Sequence, residues 1–196
     1  MARIIPSVFD TSDFSHAELS AARLDGEIVA VDECWQVIDE HGDPLARARS
    51  LARVLPPRVI VERLSAAWVL GAIDDPPAVH EVCVDSAARY SRLGLPRLRI
   101  REVVITSTEM SSVGPVRVTS PLRTAVDLVR FSPRFGETER SIVARLVEIG
   151  GFSLGDVEAN LDARRNLPGK LLARERMRSV FDESLTPPLA SARREV

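Results

Sequence analysis

Lysine is almost absent from this chain: Lys170 stands alone against 25 arginines in 196 residues. Metal-dependent nuclease chemistry usually needs an acidic pair plus a lysine on neighbouring strands. Lys170 instead follows Pro168-Gly169 and opens a helix, and no Asp…Glu-x-Lys array exists, which excludes that activity. Histidine is nearly as scarce. His16, His41 and His80 have no second ligand at His-x3-His or Cys-x2-Cys spacing, so no protein zinc site and no cofactor is implied. The two cysteines, Cys34 and Cys83, lie far apart in apparent strands and read as reduced, partly buried thiols of a cytosolic protein. There is no glycine-rich phosphate loop, and Asp74-Asp75 runs into two prolines as a turn, so no nucleotidyl-transfer site assembles. The longest apolar runs fall well short of the ~20 residues of a membrane span. No basic stretch precedes an apolar segment at the N-terminus, so no secretory signal is visible. The expectation is a cytoplasmic protein that is not an enzyme.

What is present is a charge gradient. Net charge is only −2, yet residues 1–45 carry ten acidic side chains against two basic ones, Arg3 and Arg23. Residues 46–196 carry 24 basic and 18 acidic ones. Such polarity decides which end of a molecule can approach a phosphate backbone. A hydrophobic content of 45% and a length of 196 residues allow one large domain or two small ones with a substantial core.

Local patterns give an α+β reading. Residues 1–14 look like an irregular arm. Ser15, with Glu18 three residues on, caps a helix over residues 14–24 that turns Leu19 and Leu24 inward. Ile28–Val31 and Trp35–Ile38 flank the acidic Asp32-Glu33 as a β-hairpin, a candidate wing, closed by His41-Gly-Asp-Pro44. Asp43 caps a helix from Pro44 to about Leu55; Pro56-Pro57 breaks it, and a second helix follows to Leu70, with Gly71 beyond its end. Trp68 is its expected core anchor. Ser65 has no histidine or lysine at helical spacing to activate it as a nucleophile. Alternation over Val79–Asp85 predicts a strand, with Leu98–Thr106 and Val116–Thr119 as two more. Further helices follow Gly136, Ser153 and Pro168-Gly169.

The most marked stretch is Val116-Arg-Val-Thr-Ser-Pro-Leu-Arg-Thr-Ala-Val-Asp127, a strand that turns directly into a helix. Ser120 occupies the N-cap and Pro121 the first helical position. Leu122, Ala125, Val126 and Leu128 form the apolar repeat, leaving Arg123, Thr124 and Asp127 for other faces. Arg123 and Asp127, as an exposed pair four residues apart, would contribute only ~0.3–0.5 kcal/mol.

This stretch, preceded by Leu64-Ser-Ala-Ala-Trp-Val-Leu-Gly71, resembles the AbiEi family of bacterial antitoxins and transcriptional regulators. The resemblance covers roughly residues 43–131 and fades into helices as far as Phe181. It implies an N-terminal winged helix-turn-helix and a C-terminal mixed α/β domain. On that basis residues 1–42 are a shortened winged-helix-like segment, 43–182 the AbiEi-like domain with a small β-sheet and several helices, and 183–196 a tail. The implied role is a non-enzymatic regulator of a type IV toxin–antitoxin or phage-defence operon. Its partners would be operator DNA or a cognate nucleotidyltransferase-like toxin, with no membrane.

The short N-terminal segment departs from the family pattern. It sets Arg23 against Glu18, Asp25, Glu27, Asp32 and Glu33, a composition that repels phosphates. The alternative is therefore a protein-interaction module that never contacts DNA. The candidate partner-binding residues lie in the basic remainder: Arg89, Arg92, Arg97, Arg99 and Arg101, with Arg117 and Arg123 close by. These are either solvated edge-strand arginines that block aggregation or a surface that tracks phosphates or an acidic partner.

Overall fold

The computed structural model describes residues 7–40, 42–87, 96–164 and 166–184. Within them the chain forms seven helices and two β-sheets, an α+β arrangement. The first sheet holds β1 (Val8–Phe9), β2 (Ile28–Val31) and β3 (Cys34–Val37) in the antiparallel order β1-β3-β2. Helix α1 (His16–Leu24) packs Leu19 on one face of that sheet, with Phe14 from the turn before it. Helix α2 (Pro44–Val54) packs Ala46 against Val8 and Cys34 on the other. Period-2 alternation produces this layering, because Val8 and Phe9 must point to opposite faces.

The arm expected over residues 1–14 thus contributes an edge strand at Val8–Phe9, too short to show a periodicity by itself. Ser15 and Glu18 form the expected capping box. Leu24, expected inside, is 87% exposed, because the nine-residue helix is covered only around Leu19.

The second sheet has the order β6-β5-β4-β8-β7. Its strands are β4 (Ile60–Val61), β5 (His80–Asp85), β6 (Leu98–Val103), β7 (Met110–Val113) and β8 (Val116–Thr119). The sequence pattern carries a helix straight on from Pro56-Pro57, but Ile60–Val61 is a strand and α3 begins only at Arg63 (Arg63–Leu70). Two β-branched residues suit the centre of a sheet, and β4 is paired on both sides, with β5 antiparallel and β8 parallel. Strand β7 was likewise hidden in a polar run, Met110-Ser-Ser-Val113, made regular by its hairpin with β8 around Gly114 at φ +52°.

From β6 at one edge the chain must reach β7 at the other. Four inter-strand gaps amount to roughly 19 Å, and residues 104–109 cross them in a single pass that ends in a 3-10 turn at Ser107–Glu109. This crossover lays Ile105 over Ile60 and Cys83, sealing one face of the sheet. Helices α2 and α3 cover the other through Leu51, Trp68, Val61 and Val118. Beyond α3, α4 (Pro121–Phe131) packs with α5 (Glu137–Gly150), α6 (Leu154–Asp162) and α7 (Lys170–Ser184) around Val126, Leu146, Leu161 and Met177.

Capping at the strand-to-helix turn is as the sequence dictates: the Ser120 side chain accepts from the Arg123 N–H, with Pro121 in the first turn. Trp68 is buried and its indole N–H donates to the Asp74 carbonyl at 3.2 Å. Both cysteines are free and buried. In denaturant unfolding, Ser120→Ala is expected to cost about 1 kcal/mol, and Trp68→Ala on the order of 3–5 kcal/mol. A Trp68→Ala cost no larger than that of Ser120→Ala would show that the indole is not the anchor of α3.

Candidate functional site

Charged side chains concentrate where β4, β6, the crossover and α4 converge. Glu62, the N-cap residue of α3, is 2% exposed and follows a β-branched run that points it at the crossover face of the sheet. Arg101 from β6 binds it with both nitrogens of its fork, Nε to Oε1 at 2.5 Å and Nη2 to Oε2 at 2.7 Å. The same Nη2 donates to Asp127 Oδ2 at 2.9 Å. Asp127, 1% exposed, also accepts from Arg123 Nε at 2.9 Å and, through Oδ1, from Arg130 at 3.1 Å. Arg123 continues to Glu109 on the crossover at 2.9 Å, and Arg164 meets the same carboxylate.

The Arg123–Asp127 pair, expected on the surface, is therefore buried, with Arg123 only 3% exposed. The physical reason is the crossover: it supplies Glu109, and the edge strand supplies Arg101, to the helix face that apolar periodicity had left unassigned. Burial works against ionisation of Glu109, but the Thr106 N–H and the Arg123 and Arg164 guanidiniums outweigh it and hold its pKa below the usual range. The neighbouring Cys83 thiol is pushed far up, first by burial and then by the Glu62 carboxylate, so it is inert as a nucleophile.

Phe131, at the end of α4 and 38% exposed, has three guanidiniums around its ring: Arg63 and Arg130 at 4.5 Å and Arg101 at 4.8 Å. Arg63 opens α3 at φ +50° and reaches Glu81 at 3.3 Å.

A second group joins the two sheets. Asp32, at the β2–β3 tip with φ +53°, accepts from His80 Nε2 at 3.0 Å and from Arg97 at 2.9 Å, and Arg97 also meets Glu33. Burial opposes ionisation of Asp32, but the His80 and Arg97 contacts dominate and lower its pKa. His80 Nδ1 lies 3.2 Å from Ser65 Oγ, which already accepts the Glu81 N–H at 2.9 Å. An ionised Asp32 can only accept, so the Nε2 proton faces it, and in the neutral ring Nδ1 is left to accept from the Ser65 hydroxyl. Ser65 thus has a histidine partner that no helical spacing could show, because β5 brings it across the sheet. A serine–histidine–aspartate chain of this kind suggests nucleophilic catalysis, but Ser65 is 0% exposed and His80 3%, so no substrate reaches the hydroxyl.

The structure separates the candidate arginines. Arg89 and Arg92 lie outside the described residues. Arg97 is tied to the hairpin tip, Arg101 and Arg123 to the buried network, and Arg117 to the Arg58 carbonyl. Arg99 projects from β6 with its side chain 69% exposed, 3.7 Å from Glu81. Glu109 and Phe131 were not singled out in the sequence, nor were the pairings of Glu62 with Arg101 and of Asp32 with His80. A lone glutamate between Val61 and an apolar helix is the one local sign of them. Among the described residues no group of three His, Cys, Asp or Glu side chains can hold a metal ion, and no helix is long and apolar enough to cross a membrane.

The second sheet is thus built around an arginine–carboxylate core with a strand–turn–helix at its centre, beside a serine sealed from solvent. Residues 60–171, more than half of the chain, match the family model described as the AbiEi antitoxin C-terminal domain. The chain belongs to the AbiEi antitoxin family. No curated protein matches it. Among solved structures it is similar to one described as the crystal structure of the RV2827C protein from Mycobacterium tuberculosis. The two are 19% identical, over 94% of this chain and 74% of that one, with a TM-score of 0.47.

Removing the Asp127 carboxylate takes from three guanidiniums an acceptor they share inside the protein, so Asp127→Ala is expected to cost about 3–5 kcal/mol in urea unfolding. A cost below about 1 kcal/mol would show the network to be solvated. Asp32 and Glu109 have folded pKa values below their ordinary 3.8 and 4.5. Between folded and unfolded values the unfolded chain holds more protons, so their contribution is complete above about pH 4.5 and is lost as pH falls. Stability measured against pH should drop through this window, and Glu109→Gln should flatten the drop.

Proposed function

We propose that this chain is a non-enzymatic, antitoxin-like transcriptional regulator of a type IV toxin–antitoxin or phage-defence operon, working in the cytoplasm. The observation that carries the proposal is the family match over residues 60–171, which takes in the whole of the second sheet and α4. Operator DNA and a nucleotidyltransferase-like toxin are the partners this reading assigns. Phosphate contact would come from the Arg99 edge of β6 and from Arg117, and not from the hairpin tip, whose carboxylates Asp32 and Glu33 face Arg97. Neutralising phosphates releases counterions, so such contacts are read in the salt dependence of binding.

A second reading, a protein-interaction module without DNA contact, is favoured by the acidic N-terminal unit. There Arg23 is the one basic side chain among residues 7–40.

Gel-shift titration on the DNA upstream of the reading frame, across a salt series, tests the first reading. Arg99→Ala with Arg117→Ala should flatten the salt slope by roughly one unit per lost phosphate contact. Weakening caused mainly by Arg23→Ala, with the paired substitution silent, would restore a winged-helix mode. No shift at any salt concentration would leave the protein-interaction reading in its place. Purified protein is also expected neither to cleave nucleic acid nor to transfer nucleotides with magnesium or manganese. Turnover that disappears in Asp74→Ala, Asp85→Ala or Lys170→Ala would overturn the non-enzymatic reading.

A further inference from the structure

Among the described residues, the N-terminal unit has an apolar face that no other element covers. Helix α1 has nine residues, about 14 Å of axis, and lies across a three-stranded sheet of similar width. Beside it a groove of about 490 Å³ remains, floored by Phe9, Phe14, Leu19 and Ile28 and bordered by Ala22 and Val37. Val37 is 38% exposed, and Ile38, next along the chain, is 50% exposed. Single exposed apolar residues are ordinary; a contiguous apolar groove with a polar rim marks a contact surface.

The rim is acidic. Glu18 and Glu27 line the groove, Asp25 ends α1, and Asp39 follows β3. Four other acids of this unit are neutralised: Asp10 and Asp13 by Arg53, Asp32 and Glu33 by Arg97. Glu18, Asp25, Glu27 and Asp39 have no such partner among the described residues, and Arg23 is turned over the Trp35 ring. Phosphate backbones and anionic lipid surfaces are repelled by this rim. An apolar stripe flanked by Lys or Arg meets both its floor and its charge.

We propose that this groove docks a cationic amphipathic helix of a partner protein. The helix lays an i, i+3/i+4, i+7 apolar stripe along Phe14, Ala22 and Val37 and sets basic side chains on Glu18 and Glu27. This site is separate from the Arg99 edge, so it stands whether or not the chain binds DNA.

The test is fluorescence anisotropy of a labelled leucine–lysine amphipathic peptide, beside a counterpart with glutamine in place of lysine. The full chain, Val37→Arg and Glu27→Gln are compared, with thermal unfolding of each as a control. The full chain should bind the lysine peptide saturably with one-to-one stoichiometry. Affinity should be about tenfold or more weaker for the glutamine peptide and for Val37→Arg, at unchanged Tm. Glu27→Gln lies at the exposed rim and does not fill the groove; it should lower affinity less and reduce the salt dependence. Absence of saturable binding, equal binding of the two peptides, or binding indifferent to both substitutions would overturn the proposal. Duplex DNA that shifts the amide resonances of Phe14, Ala22 and Val37 would overturn it in favour of nucleic acid. Dimers of the free chain that Val37→Arg dissociates would overturn it in favour of a second copy.

Discussion

A buried carboxylate is tolerated only when its charge is met at close range, and Asp127 meets that condition with three arginines. The rest of the second sheet depends on this. Arg101 ties the edge strand to α4, and through Glu62 to the start of α3. Arg123 ties α4 to the crossover at Glu109, and Arg164 reaches that same carboxylate from beyond α6. Hydrophobic side chains in these positions could bury comparable area. They would not define register as these forks do, because a guanidinium must face its carboxylate at a set angle and distance. The network therefore specifies which strand edge meets which helix face more than it adds net stability.

The same pairing decides what the surface can offer. An arginine bound on both sides by buried carboxylates contributes little to the field outside, so a count of basic residues overstates the cationic character of this chain. Arg101 and Arg123 are consumed internally, and Arg97 is held by the hairpin. Of the candidate arginines among the described residues, Arg99 on the outward side of β6 keeps its side chain most exposed. In the N-terminal unit the balance is reversed, since four acids around an apolar groove keep their charge uncompensated.

Hairpin and sheet are joined by hydrogen bonds that run from Asp32 through His80 to Ser65. Asp32 adopts a left-handed backbone conformation, which costs a non-glycine residue about 1–3 kcal/mol unless its surroundings impose it. Two donors to one carboxylate supply that constraint. The hairpin tip is therefore fixed to the second sheet through both Asp32 and Arg97.

Local chemistry was enough to place α1, α2 and α4, because caps act within one turn: Ser15 with Glu18, Asp43 before Pro44, Ser120 before Pro121. Period-2 alternation was enough for β5 and β8, and the order of Leu64–Gly71 and Val116–Arg130 was enough for the family. Two-residue strands were not legible: Val8–Phe9 and Ile60–Val61 exist as strands only through their partners. Nor was the burial of Arg123 and Asp127, since a charged pair four residues apart looks the same on a wet helix as on a buried one. That difference was made by Glu109 and Arg101, 14 and 26 residues away from their partners in sequence. The crossover that carries Glu109 runs over the sheet because β6 and β7 lie at opposite edges, and only the tertiary pairing order decides that.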